Sequence, residues 1–210
     1  MVMKIGIIGS GHIGGTLTRR LSTLGHDVTV TNSRGPQSLT DLAQETGATA
    51  GTLEQAVQDA ELVVVAIPLL AVPALPVQLF DGKVVVDANN YYPQRDGDIA
   101  ELLDRSLSSS RWTADHLKGA RVVKAFNNIQ AAHLLDNGKP SGEAGRIALP
   151  VAGDDAEAKQ LVMQLVDALG FDPVDAGTLD ESWRQQPDTP VYGTDRDADG
   201  VRQGLAEARP

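Results

Sequence analysis

Lys4-Ile5-Gly6-Ile7-Ile8-Gly9-Ser10-Gly11-His12-Ile13-Gly14 decides how this chain is read. An apolar strand pattern runs directly into G-x-G-x-x-G, and a helical stretch follows from Ile13 to Leu24. Each glycine has its own physical task. Gly9 permits the tight turn, Gly11 lets the backbone approach a pyrophosphate without a Cβ clash, and Gly14 lets the helix lie close on the strand. The helix N-terminus presents free N–H groups and the positive end of its dipole to an anion. The spacing alone is a weak signal. Here a strand stands before it, a helix after it and a second strand (Val28 to Thr31) at the right distance. The stretch therefore predicts a dinucleotide-binding loop formed by Gly9, Ser10, Gly11, His12, Ile13 and Gly14.

Outward from the loop, short β-branched runs alternate with longer amphipathic stretches, the pattern of βαβ units and a parallel sheet. Gly25 stops the first helix. Pro36 to Thr46 reads as a helix with Pro in its first turn, and Thr52-Leu53-Glu54-Gln55 fits a capping box. Leu62 to Ile67 and Val84 to Asp87 are apolar runs suited to strands covered on both faces. Asp98 to Ser110 reads as a polar helix, Arg121 to Phe126 as a strand and Ile129 to Leu135 as helical. Gly138 to Arg146 is a loop. Ile147 to Ala152, Asp155 to Leu169 and Pro173 to Asp175 then read as strand, helix and strand. The last thirty residues are polar, and a partial helix and a surface tail are expected. The fold class is α/β: a Rossmann-type, doubly wound, mainly parallel sheet with a small C-terminal α/β extension. The domain division is 1–137 for the nucleotide-binding unit and 138–210 for the extension and polar tail.

The tip of the second strand selects the nucleotide. In NAD-binding units an acidic residue about 20 residues on holds the ribose 2′-OH. Here Val28-Thr29-Val30-Thr31 is followed by Asn32-Ser33-Arg34, with no carboxylate. A carboxylate would repel a 2′-phosphate, whereas Asn32, Ser33 and the Arg34 guanidinium accept one. NADP(H) is the expected cofactor.

Ligands of open parallel sheets bind outside the carboxyl ends of the strands. Ile67 and Pro68 follow one strand and offer an apolar surface beside a nicotinamide ring. Asn89 and Asn90 follow another, and Asn127 a third. These amides suit ribose hydroxyls or a carboxamide, and equally suit turns. Tyr91 and Tyr92 are two of eight aromatic residues (three Phe, two Trp, three Tyr).

Composition bounds the rest. The chain has 210 residues, no Cys and a formal net charge of −10. Cysteine chemistry, disulfides and Cys-based metal sites are excluded. A basic nucleic-acid footprint is not expected, nor attraction to anionic lipid. Prolines at 68, 73 and 76 interrupt the longest apolar run, so no membrane span is expected. No signal-peptide pattern opens the chain, and the cytoplasm is the expected location. Asp195 to Gly200 imitates the start of an EF-hand loop, but the twelfth position is Ala206 instead of a bidentate Glu. No metal is expected.

The ordered motifs carry a resemblance. They are the glycine loop, Asn32-Ser33-Arg34-Gly35-Pro36, Ala66-Ile67-Pro68, Lys124-Ala125-Phe126-Asn127, Val151-Ala152-Gly153-Asp154-Asp155 and Asp175-Ala176-Gly177. Over about residues 3–180 the chain resembles the NADPH-dependent reductases of the deazaflavin coenzyme F420. Asn90-Tyr91-Tyr92-Pro93 points to a bacterial subgroup. The cytosolic NADPH domain of the STEAP metalloreductases is similar too. The resemblance implies hydride transfer between NADP(H) and a flavin-like ring acceptor. It places the pyrophosphate at Ser10, Gly11, His12 and Ile13, the 2′-phosphate at Ser33 and Arg34, and the nicotinamide near Ile67, Pro68 and Asn127. The chain departs from the archaeal members from Glu181 onward, where the second substrate would bind.

Hydride transfer between planar rings needs stacking and water exclusion and no obligatory acid or base. His133, one or two turns after Asn127, is a weak candidate for proton transfer. Arg105, Arg111, Lys118, Arg121 and Lys124 form the one basic stretch, read as a solvated face. The leading expectation is an NADP(H)-dependent oxidoreductase acting on coenzyme F420, a flavin or a similar small-molecule ring. The alternatives are a non-enzymatic NADPH-binding sensor or subunit, or a reductase of a small carbonyl or imine substrate. Relatives of the last kind carry a long helical C-terminal domain, and none is expected from the residues after 138. Trp183 on a thin extension makes a homo-oligomer plausible.

Overall fold

The computed structural model describes residues 2–209. Strands β1 (Lys4–Ile8), β2 (Asp27–Thr31), β3 (Thr49–Ala50), β4 (Leu62–Val65), β5 (Val84–Asp87), β6 (Arg121–Lys124), β7 (Ala148–Gly153) and β8 (Asp172–Asp175) form one sheet. Its order is β3-β2-β1-β4-β5-β6-β7-β8. Neighbours run parallel except β6 and β7, where Val123 faces Gly153 and Lys124 faces Ala152 in antiparallel register. This is the doubly wound, mainly parallel sheet that the alternating pattern predicts.

Side-chain alternation divides the core between the two faces. Leu62, Val64, Val84 and Val86 enter one cluster with Ile5, Ile7 and the helix residues Leu17 and Leu21. Val63, Val65 and Val85 enter the other with Phe80 and Leu117. Covered strands need no polar face, so β4 and β5 read as unbroken apolar runs.

Helix α1 (His12–Thr23) follows β1, and α2 (Thr40–Thr46) leads into β3. Helix α3 (Leu53–Gln58) opens with the expected capping box between Thr52 and Gln55. It lies so close on β1 that a Cβ at Gly6 would sit 1.9 Å from the Ala56 carbonyl oxygen. Backbone cannot yield as a flexible side chain does. Gly6→Val is therefore expected to cost about 1–3 kcal/mol or more of stability, read as a lowered denaturation midpoint. An unchanged midpoint would contradict this packing.

Three stretches differ from their sequence reading. Asp98 to Ser110 is not one helix. Helices α4 (Pro93–Asp96), α5 (Ala100–Leu103) and α6 (Ser109–His116) are separated by turns. Gly97 and Arg105 take positive φ, and Ser108 caps α6 by accepting from the Arg111 N–H at 3.1 Å. The two-residue β3 is too short to show a period. The final segment is packed, unlike a surface tail. A 3-10 turn at Asp180–Gln185 buries Ser182 and Gln185, and α9 (Ala198–Glu207) seats Val201 and Leu205 against Ala148, Val174 and Val191. These apolar residues are sparse in a polar stretch, so no run announces them.

Helix α7 (Ala131–Asp136) packs on α1. Helix α8 (Ala156–Ala168) joins β7 to β8 and buries Val162, Leu165 and Val166 in the core cluster that α1 covers. Residues after 138 thus extend the same sheet and the same core.

Candidate functional site at the strand ends

Chain order reverses at β1 and β4, and that switch point is where an open α/β sheet leaves a crevice. Gly9 donates its N–H to Thr31 O at 2.8 Å, and Ala66 donates to Ile8 O at 2.9 Å. Gly9 takes φ 104°. A Cβ there would lie 2.2 Å from Ala66 O and 2.9 Å from Ile67 Cγ2, so the turn abuts the segment after β4. A Cβ at Gly14 would meet Gly9 O at 1.9 Å, which is the close helix–strand approach expected of the last glycine.

Gly11 differs from both. Its φ of −71° suits any residue, and a Cβ would meet nothing within 4 Å. It is the N-cap of α1, makes no side-chain cap and is exposed. Neither the backbone nor the packing requires glycine here. A glycine here leaves the loop backbone open on its outer side.

Asn32 ties this loop to the next one. Its Nδ2 donates to Ser10 Oγ at 2.9 Å and Ser38 Oγ at 3.0 Å, and its Oδ1 accepts from the Arg34 N–H at 2.9 Å. Ser33 and Arg34 are exposed. A cavity of about 600 Å³ lies between the loops and α7, with Ser10, Gly11, His12, Arg34 and Ser38 on one side and Ala132 on the other. Arg19 and Glu45 also line it and neutralise one another at 2.6 and 2.8 Å. Arg34 has no ion pair among the described residues, and Asp41 is the remaining acid in the wall. The cavity thus keeps one unneutralised guanidinium beside a helix N-terminus.

At the other end of the crevice Ile67 is half-buried and Pro68 exposed. The Ile67 N–H donates to Asn89 Oδ1 at 2.8 Å. Asn89 is 3% exposed, and its Nδ2 has no partner among the described residues. Asn127 follows Phe126, which holds φ 62° although bulky and buried. Such a conformation costs of order 1–3 kcal/mol and clusters at functional sites. The Asn127 amide is engaged within the chain. Its Nδ2 donates to Asn90 Oδ1 at 3.0 Å and Gln185 O at 2.7 Å, and its Oδ1 accepts from Gln185 Nε2 at 3.0 Å. The C-terminal segment therefore closes over the end of β6.

The basic stretch is not one solvated face. Lys124 is fully buried, 3.4 Å from the equally buried Asp87. Burial pushes its amine below the usual lysine range, against the opposing pull of Asp87. Arg111 bridges Asp180 and Asp154 at 2.6 Å each, and the Asp180 hydrogen bond raises it. No run or spacing distinguished Lys124, because its burial depends on strand order.

His133 faces Asp195, with Nδ1 2.7 Å from the carboxylate, and does not line the large cavity. Asp197, in the segment resembling an EF-hand, caps α9 through the Gly200 N–H at 2.8 Å. Tyr92 OH meets Tyr192 OH, and Arg95 sits 4.9 Å over the Tyr92 ring. Burial first, then the Tyr92 contact, pushes the Tyr192 phenol upward. Tyr91 donates to Gly97 O at 2.8 Å and lines a second cavity of about 480 Å³ together with Trp183. Sequence reading missed Ser38, Ser110, Lys124, Tyr192 and Gln185 as members of these networks.

A doubly wound sheet with a glycine loop at its switch point, and an amide-and-arginine loop beside it, is a Rossmann-type architecture. The family model described as NADP oxidoreductase coenzyme F420-dependent matches residues 4–91. The chain is 28% identical to the F420-dependent NADP reductase of Methanothermobacter marburgensis, covering 90% of each chain. It is 32% identical to the metalloreductase STEAP3 of Rattus norvegicus over 179 residues, 84% of this chain and 34% of that protein. A further curated relative, 52% identical over 66 residues, is covered to 48% of its length, so the chain spans half or less of these two. The crystal structure of the hypothetical protein SMa0349 from Sinorhizobium meliloti superposes with a TM-score of 0.80 at 32% identity, covering 93% of this chain and 95% of that one.

Proposed function

We propose that this protein binds NADP(H) along the crevice and passes a hydride between NADPH and a planar ring acceptor, namely coenzyme F420, a flavin or a similar ring. The observation that carries the reading is Gly11, a glycine with ordinary φ, open surroundings and a helix N-terminus behind it. Backbone N–H groups from Ser10 to Ile13 hold the pyrophosphate, with Gly9 and Gly14 shaping the turn. Asn32, Ser33 and Arg34 hold the 2′-phosphate. Ile67 and Pro68 wall the nicotinamide half, and Asn89 offers it a donor. Asn127 shapes the same end through Asn90 and Gln185. The nicotinamide supplies the hydride chemistry when bound, and the protein supplies orientation and exclusion of water.

The second cavity suits the acceptor. Tyr91 and Trp183 give it aromatic walls, and Leu102 and Leu107 an apolar floor. Arg105 in the same wall matches the negative charge of a phosphorylated ring cofactor. His133, held by Asp195, stays outside this scheme. Among the described residues no helix is long and apolar enough to cross a membrane. We read the protein as cytoplasmic, without a nucleic-acid partner, and as a nucleotide-binding unit to residue 137 followed by an acceptor-side extension.

The test begins with titration by NADPH and NADH. The NADPH complex is then mixed with FMN, FAD, a deazaflavin and ferric chelates while the nicotinamide absorbance is followed. Tighter binding of NADPH and turnover with one ring acceptor are expected. Tight NADPH binding with no turnover on any acceptor would replace this reading by that of a nucleotide sensor.

A further inference from the structure

Asn89 is held in an unusual way for a loop asparagine. Asp87 Oδ1 accepts its N–H at 3.0 Å, and Lys124 Nζ donates to its carbonyl oxygen. The backbone at this position is thus gripped on both sides by one buried ion pair. Ser110 Oγ donates to Asp87 Oδ2 at 2.6 Å and fixes the carboxylate in turn. The side chain is fixed as well. Ile67 presents a backbone N–H, so the amide oxygen must face it. The amide NH2 then faces away from Ile67, and among the described residues it is buried with no partner. A buried unpartnered donor destabilises the unliganded chain.

Stability alone does not account for a lysine at the end of β6. Replacing a buried ion pair by apolar residues of similar volume is often neutral or stabilising. What this pair supplies is geometry. It sets one amide at the mouth of β5, beside the Ile67 segment that abuts the glycine loop.

We propose that Lys124, Asp87 and Ser110 are positioning residues that hold the Asn89 amide NH2 ready for an acceptor oxygen on the nicotinamide half of the bound dinucleotide. A carboxamide carbonyl or a ribose hydroxyl is the chemistry that fits. The proposal rests on the NADP(H) reading of the crevice, and its test separates the two.

The test compares NADPH with 2′,5′-ADP, a fragment that lacks the nicotinamide half, by direct binding. The double variant Lys124→Met with Asp87→Leu removes both charges together and leaves no unpaired one. Its NADPH affinity is expected to fall about tenfold, the equivalent of one hydrogen bond. Its 2′,5′-ADP affinity should stay within about twofold of wild type. Equal losses for both ligands would mark a merely structural pair and overturn the proposal, and so would unchanged NADPH binding. Should the double variant not fold, Ser110→Ala and Asn89→Ala take its place. Each is expected to weaken NADPH selectively, with the larger loss for Asn89→Ala, and a uniform or absent effect in both would overturn the proposal. Failure of the wild type to bind 2′,5′-ADP would overturn the dinucleotide reading itself, and the clamp with it.

Discussion

Gly11→Val is expected to abolish NADPH binding, by about 100-fold or more, while the protein stays folded. The two halves of this result have separate causes. The native φ of −71° is one that valine adopts, and no atom lies within 4 Å of its Cβ. Losing glycine at an N-cap weakens α1 by less than about 1 kcal/mol, and the stiffer unfolded chain offsets part of that. The melting temperature should therefore move by no more than about 4 °C. The nucleotide, in contrast, must lie against the loop backbone for the N–H groups to reach its phosphates. An isopropyl group occupies that space. Calorimetry of binding and a thermal melt on one preparation check both halves. Retained NADPH affinity would falsify the loop assignment, and a collapsed melt would show that Gly11 serves the fold.

Arg34→Ala should separate the two nicotinamide nucleotides. The guanidinium is exposed and without an ion pair among the described residues, so its removal leaves no buried charge behind. A charge-assisted hydrogen bond to a phosphate is worth about 1.5–3 kcal/mol, which is roughly 10- to 150-fold in affinity. NADPH should weaken by that factor. NADH carries no 2′-phosphate and should change by less than about twofold. Raising the salt concentration should shrink the difference, because exposed charges are screened. Equal weakening of both nucleotides would place Arg34 in the loop's architecture and outside phosphate recognition. Ser33 and the Asn32 network would then be the groups to examine next, since Asn32 links this loop to Ser10 and Ser38.

Local patterns made much of this legible. The strand–glycine–helix unit is written within twenty residues, and each glycine's task follows from geometry that any such unit shares. The apolar runs of β4 and β5 reported burial on both faces. The missing carboxylate after β2 could be read because the discriminating position lies at a known place on the same unit. The helical reading of Asp98 to Ser110 failed for a local reason too. Arg105 takes left-handed φ within it, and a polar composition hid the break.

By itself, then, the sequence determined the sheet and the glycine loop at its switch point, because periodicity and spacing act within one βαβ unit. Tertiary structure alone decided the partners of the buried polar groups. Lys124 and Asp87 are 37 residues apart and meet only because β5 and β6 are adjacent strands. Gln185 reaches Asn127 across 58 residues because the polar C-terminal segment folds back over the sheet. The cavity lined by Tyr91 and Trp183 likewise arises where distant segments meet. A residue's own neighbours in sequence tell which face it takes. They do not tell what stands opposite it.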